Sequence, residues 1–140
     1  MWTFEHTEQT GAGAERLWSH YADPASWPAW DSTLEAVSVQ GPLVAGARGT
    51  LKPAGGPRLR FRVTELVAGR AFTTTARLPL ARLHFTHRIE ARATGAGFTH
   101  GVRIEGPLTP LFARVIGRGI AAELPATMRA LARAAEGPRS

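Results

Sequence analysis

The chain has 140 residues, 44% of them hydrophobic and 20% charged, with no cysteine and a formal net charge of +6. That length suits one domain that buries roughly two-thirds of its unfolded surface, and the composition is that of a globular chain. The lack of cysteine excludes disulfides, thiolate metal sites and a cysteine nucleophile, and no apolar run approaches the length of a membrane-spanning helix.

The start, Met1-Trp2-Thr3-Phe4-Glu5-His6, has neither a basic beginning nor an apolar run, so no signal peptide is expected and a cytoplasmic location is compatible. Residues Trp2 to Thr10 alternate as a strand does and are broken by Gly11-Ala12-Gly13. The next stretch, Ala14 to Asp31, reads AERLWSHYADPASWPAWD. Its first part predicts a short helix with Leu17, Trp18 and Tyr21 on one face, stopped at Asp23-Pro24. A second helical turn carries Trp27, Pro28 and Trp30. Three of the four tryptophans thus fall within thirteen residues, a density that plugs the open end of a core or walls a cavity.

Strands are expected near 32–40, 48–53, 58–68, 71–78, 81–94 and 97–106. They are separated by Gly41-Pro42, Gly55-Gly56-Pro57, Ala68-Gly69-Arg70 and Gly95-Ala96-Gly97. Such short connections imply hairpins and an antiparallel sheet. Arg58, Arg60 and Arg62 alternate with Leu59, Phe61 and Val63, and Arg88 and Arg92 flank Glu90 in the same way, which places the charges on the wet face. Lys52 is the only lysine among seventeen basic residues, a coding bias more than a phosphate-binding design. No aromatic side chains interleave with the arginines to stack bases, so nucleic acid is not an expected partner.

From Thr109 the period becomes helical. Leu108, Phe112, Ile116, Ile120, Leu124 and Met128 recur every fourth residue, with Leu111, Val115 and Leu131 beside them. Thr109 is placed to cap this helix with Pro110 at its first position. Pro125 should bend it, and Gly137-Pro138 should end it. At 1.5 Å per residue, 110–136 would span roughly 40 Å, enough to cross a whole sheet.

The helix-then-Trp-Pro-x-Trp segment after the first strand resembles the START-like (helix-grip, SRPBCC) superfamily, in its polyketide cyclase/dehydrase and lipid-transport branch. Gly106-Pro107-Leu108 leading into the last helix, and Leu124-Pro125 within it, resemble that branch too, as does the order of elements. The resemblance implies an α+β helix-grip fold over residues 1–140 as a single ligand-binding domain. In it a curved antiparallel sheet of about seven strands wraps around a long C-terminal helix, with two short helices after the first strand.

A curved sheet gripping one helix leaves space between them. Gly117 and Gly119 interrupt the helix where it should cross the sheet, each at a cost of about 1 kcal/mol relative to alanine. Close packing explains such glycines, and so does room for a ligand. The surrounding positions are apolar: Phe61, Phe72, Phe85 and Val102 on strands, Phe112, Ile116 and Ile120 on the helix, with Trp27 and Trp30 at the entrance. A small, mostly apolar ligand is therefore expected, lipid-like or aromatic and polyketide-like, held for transport, sequestration or sensing.

Inward polar groups are few. Alternation puts His87 with Leu83, Phe85 and Ile89 and sends His84 to the opposite face, so His84 and His87 cannot share a metal on a strand. His100 shares the face of Phe98, Val102 and Ile104. A hairpin turning at Gly95-Ala96 would pair 87 with about 104, setting His87 and His100 roughly 13 Å apart along the strands at 3.3 Å per residue. No metal or cofactor is expected. Gly117-Arg118-Gly119-Ile120-Ala121-Ala122 spells a dinucleotide loop but lies inside a helix. No serine elbow or H-E-x-x-H motif occurs, Glu105 should point outward beside Arg103, and Asp31 can face the cavity mouth but better suits capping or a surface ion pair. The alternative function, implied by the resemblance, is a polyketide cyclase or dehydratase acting on a poly-ketone, with His87, His100 and Tyr21 as its catalytic candidates. A monomer or homodimer is expected.

Overall fold

Alternation of Trp2, Phe4 and His6 with Thr3, Glu5 and Thr7 produces β1 (Trp2–Thr10), half-buried on one face and exposed on the other. The computed structural model describes residues 1–55 and 57–137; Gly56 of the expected Gly55-Gly56-Pro57 turn and Pro138 of the expected helix stop lie outside them. After β1 come α1 (Ala14–Tyr21), a single 3₁₀ turn (Pro24–Ser26) and α2 (Trp27–Trp30). Six strands follow: β2 (Leu34–Val39), β3 (Arg48–Pro53), β4 (Leu59–Val67), β5 (Ala71–Leu78), β6 (Ala81–Ala91) and β7 (Ala96–Glu105). The chain closes with α3 (Thr109–Phe112), a π-helical turn (Ala113–Gly117) and α4 (Arg118–Glu136), which run on as one long helix.

The seven strands form one antiparallel sheet in the order β1-β7-β6-β5-β4-β3-β2. Only β1 departs from hairpin order: it crosses to the far edge and pairs with β7, while the short helices span the way back to β2. The curled sheet around the long helix is the helix-grip arrangement. The end of the helix is tied to the end of β1, because Thr10 Oγ1 and the Gly11 amide both donate to the Glu136 carboxylate, at 2.7 and 2.8 Å. These bonds hold its carboxyl below the usual range.

Apolar packing falls into two clusters. One joins Leu17, Tyr21, Trp27, Trp30, Phe72 and Phe98 to Met128 and Leu131 of α4. The other joins Phe61, Val63, Leu83, Val102 and Ile104, with Trp2, Phe4, Phe112 and Ile120 against them. The arginines at 58, 60, 62, 88 and 92 are exposed, as alternation requires. Thr109 departs from the expected role: Leu108 is the N-cap, and Thr109 Oγ1 donates back to the Gly106 carbonyl at 2.7 Å instead of accepting from the helix. Among the described residues, no helix is long and apolar enough to cross a membrane.

The two helix glycines have different surroundings. Residues two apart on a helix point about 200° away from each other, so Gly117 and Gly119 cannot both face the sheet. A Cβ on Gly117 would sit 2.8 Å from the Trp2 ring, whereas Gly119 is exposed with nothing within 4 Å. Close packing accounts for the first, and neither position opens ligand space. Gly117→Leu is therefore expected to cost about 1–3 kcal/mol through overpacking, while Gly119→Leu gains up to about 1 kcal/mol of helix propensity. Denaturant unfolding of the two variants checks this, and equal shifts in both would contradict it.

Candidate functional site

Between the concave face of the sheet and the long helix lies a cavity of about 520 Å³. Leu83, Phe85, His87, His100 and Val102 face it from β6 and β7, and Phe112, Ile116, Ile120 and Leu124 from the helix. Trp27 and Trp30 close one end, each only 7% exposed, so they are buried wall more than open entrance. The exposed residues on its border are Pro57, Arg77, Pro79, Val115 and Glu123, which marks the mouth between the β3–β4 and β5–β6 turns and the helix. A second, more open hollow of about 580 Å³ lies by the β4–β5 turn and the start of α1, near Ala14, Arg70, Arg88 and Glu90, and includes none of the inward histidines.

Phe61 and Phe72 do not border the cavity. Both are packed behind Trp27, whose ring stacks on Phe72 at 5.8 Å and Phe61 at 6.5 Å between centroids.

The expected separation of His87 and His100 is wrong. The two are direct partners across β6 and β7, with ring centroids 4.6 Å apart. The hairpin turns two residues earlier than Gly95-Ala96: Ala91 pairs with Ala96, and Arg92 to Gly95 form the turn, with Gly95 at φ +95°. A two-residue shift of the turn moves the pairing by four residues, which is the whole of the roughly 13 Å error. The same register extends the row to His6 on β1 and Phe72 on β5, so His6, His100, His87 and Phe72 lie side by side on the concave face. His6 was legible as an inward residue from its alternation with Trp2 and Phe4. It bonds Glu8 at 2.7 Å.

Burial sets the chemistry of this row. The Tyr21 hydroxyl, fully buried, lies 2.6 Å from His100 Nε2. Desolvation pushes the phenol well above its usual range and drives His100 well below 6.5, helped by repulsion from His87 and His6. A protonated phenol beside a neutral imidazole donates its O–H to Nε2, which leaves the His100 ring proton on Nδ1. Burial also lowers His87, to about 4, against a small opposing effect of the Phe72 carbonyl 3.4 Å from its Nδ1. The His87 ring lies flat on Phe72, with centroids 4.0 Å apart and planes 5° apart.

A second polar group stands where the sequence allowed it, at the cavity. Asp31 borders the cavity beside Thr33 and Thr127. The Thr33 amide and hydroxyl donate to its Oδ1 at 3.0 and 2.5 Å, a local turn of the capping kind. Burial raises its pKa, while the hydrogen bonds from Thr33 and Thr127 oppose the rise. Thr127 lies nearly a hundred positions from Asp31, so no local pattern links them. Trp30 Nε1 is buried without a hydrogen-bond partner among the described residues.

On the outer face, His84 bridges Thr75 at 2.8 Å and Glu105 at 2.5 Å, and the His84 hydrogen bond holds the Glu105 carboxyl below its usual range. Glu105 stands beside Arg103, as alternation requires. Among the described residues, no group of three or more His, Cys, Asp or Glu is placed to hold a metal ion.

A curled seven-stranded antiparallel sheet gripping a long C-terminal helix defines a helix-grip domain. The chain belongs to the polyketide cyclase/dehydrase and lipid transport family, whose pattern it matches over residues 1–136. Solved structures share the fold at low identity. Protein MLL2253 of Mesorhizobium loti is 19% identical, with a TM-score of 0.76 and 94% of this chain and 95% of that one covered. Norcoclaurine synthase of Thalictrum flavum is 12% identical, with a TM-score of 0.74 and coverages of 99% and 95%. DynU16, from the dynemicin biosynthetic locus, is 14% identical with a TM-score of 0.71, and 96% of this chain matches 47% of that one. No curated protein matches the sequence.

Proposed function

We propose that residues 1–140 act as one domain that binds a small, mostly apolar molecule, lipid-like or aromatic and polyketide-like, for transport, sequestration or sensing in the cytoplasm. The observation that carries this reading is the cavity of about 520 Å³ walled by Trp27, Trp30, Phe85, Phe112, Ile116 and Ile120. A volume of this order suits a drug-sized molecule, with apolar walls supplying affinity and a few polar groups fixing orientation. The neighbouring norcoclaurine synthase fold has been solved in complex with dopamine and hydroxybenzaldehyde, two aromatic compounds.

Both tryptophans on the wall give the reading a direct test. Titration with fatty acids, flavonoids or naphthol is expected to change tryptophan emission saturably. Trp30→Ala removes part of the wall and is expected to weaken binding about tenfold or more, the order expected when a buried aromatic contact worth about 1.5–3 kcal/mol is removed. No saturable change with any of these compounds would sink the reading.

One observation favours a second reading, a cyclase or dehydratase acting on a poly-ketone. His87 and His100 are neutral neighbours at the cavity wall, and Tyr21 holds His100 from behind. Neutral imidazoles in a desolvated cavity can take a proton from an activated carbon or hydrogen-bond a carbonyl.

A further inference from the structure

We propose that the mouth of the cavity docks on an anionic lipid bilayer. The most exposed large apolar side chains on the helix and the β5–β6 turn gather at this end. Leu80 is 67% exposed, Val115 66% and Leu111 49%. Val115 and Pro79 border the cavity itself, and the Leu80 carbonyl accepts from the Leu108 amide, which places the turn against the start of the helix.

Leu80 carries the second observation. It is the one non-glycine residue at positive φ among the described residues, at +54°. A bulky side chain in this conformation is strained and is usually replaced by Gly, Asn or Asp. Here the strained position presents a leucine to solvent, a local conflict that marks functional sites more often than structural ones.

Charge supplies the third. Exposed Arg77 borders the mouth, exposed Arg58 follows its rim residue Pro57, and exposed Arg114 and Arg118 stand one helical turn from Leu111 and Val115, against Glu123 and the half-buried Asp31 as the acidic residues on the cavity's border. Among the described residues, no carboxylate lies within ion-pair distance of any of these four arginines. A second copy of the chain is a poor occupant, because a two-fold contact would set these arginines against themselves. Exposed apolar side chains with arginines beside them match an acidic bilayer, which is also where a sparingly soluble ligand resides. The inference rests on the ligand-binding reading for its purpose but not for its test.

Co-sedimentation of the full chain with vesicles tests it. The wild type is expected to sediment with phosphatidylcholine vesicles containing one-third phosphatidylglycerol, to do so at least tenfold less with phosphatidylcholine alone, and to be released by half-molar salt. Leu80→Asn suits the backbone better than leucine, so it is expected to keep or raise stability while losing most of the sedimentation. Arg114→Gln with Arg118→Gln should weaken it and flatten the salt dependence. Each variant is also titrated with naphthol by tryptophan emission. Normal naphthol binding without sedimentation of the wild type would overturn the docking inference alone. Sedimentation without naphthol binding would uphold it and overturn the ligand reading. Equal sedimentation of all variants would overturn docking through the mouth. So would light scattering that shows a wild-type dimer converted to monomer by Leu80→Asn, since a second copy would then cover the patch.

Discussion

Between neutrality and about pH 4 the folded protein is expected to lose about 2–3 kcal/mol of stability through His87 alone. Burial lowers its pKa from 6.5 to about 4, so the unfolded chain takes up a proton at 6.5 that the folded chain refuses until about 4. In that window the unfolded state binds more protons, and stability falls as the pH is lowered. The contribution is complete above 6.5 and gone near 4. The lower figure allows for water reaching the cavity side of the ring. His100, and His20 on α1, shift the same way and deepen the loss.

The carboxylates act lower. Glu105 and Glu136 are held below 4.5, so their contributions are present above 4.5 and fade as pH falls further. Asp31 works in the opposite sense, since burial raises its pKa and protonation favours the fold. Denaturant midpoints measured between pH 7 and about 4.5 therefore report the histidines with Asp31 as the opposing group, and the difference between wild type and His87→Gln cancels Asp31. His87→Gln should flatten the curve over that range. An unchanged slope in the variant would show that His87 is not the group responsible.

The sequence exposed the architecture because periodicity and glycine punctuation are local signals. Seven strands and the long helix appear within a few residues of their expected ends, and the sheet faces of His84, His87 and Glu105 follow from alternation alone. The site was less legible because it is made by register and by contacts between distant segments. Gly95 signalled a turn but not its centre. Its positive φ closes a four-residue turn instead of opening a tighter one, and that difference decides whether His87 and His100 are strangers or neighbours. Phe61 and Phe72 point inward as expected, yet Trp27 covers them, which no strand pattern can reveal. The π-helical turn at Ala113–Gly117 left no local mark, although Gly117 packing on Trp2 sits at its end.

His87→Gln is also expected to separate the two functional readings. His87 borders the cavity, is neutral at physiological pH, and stacks on Phe72, so its ring can hydrogen-bond a ligand oxygen without carrying charge. Glutamine is similar in size and keeps a donor and an acceptor but cannot shuttle a proton near neutrality. A binding protein should then hold naphthol within about threefold of the wild type, because one neutral hydrogen bond contributes about 0.5–1.5 kcal/mol and is largely retained. A cyclase should lose about 10² or more in turnover of a poly-ketone, the usual worth of a general base. Tyr21→Phe separates the roles further: it removes the donor to His100 Nε2 without touching the cavity wall, so it should weaken the fold while leaving naphthol affinity near normal. The binding reading expects retained affinity in His87→Gln and no turnover in the wild type. Wild-type turnover of a poly-ketone, abolished in His87→Gln with binding intact, would make the imidazole row catalytic and replace binding by cyclisation as the function of the cavity.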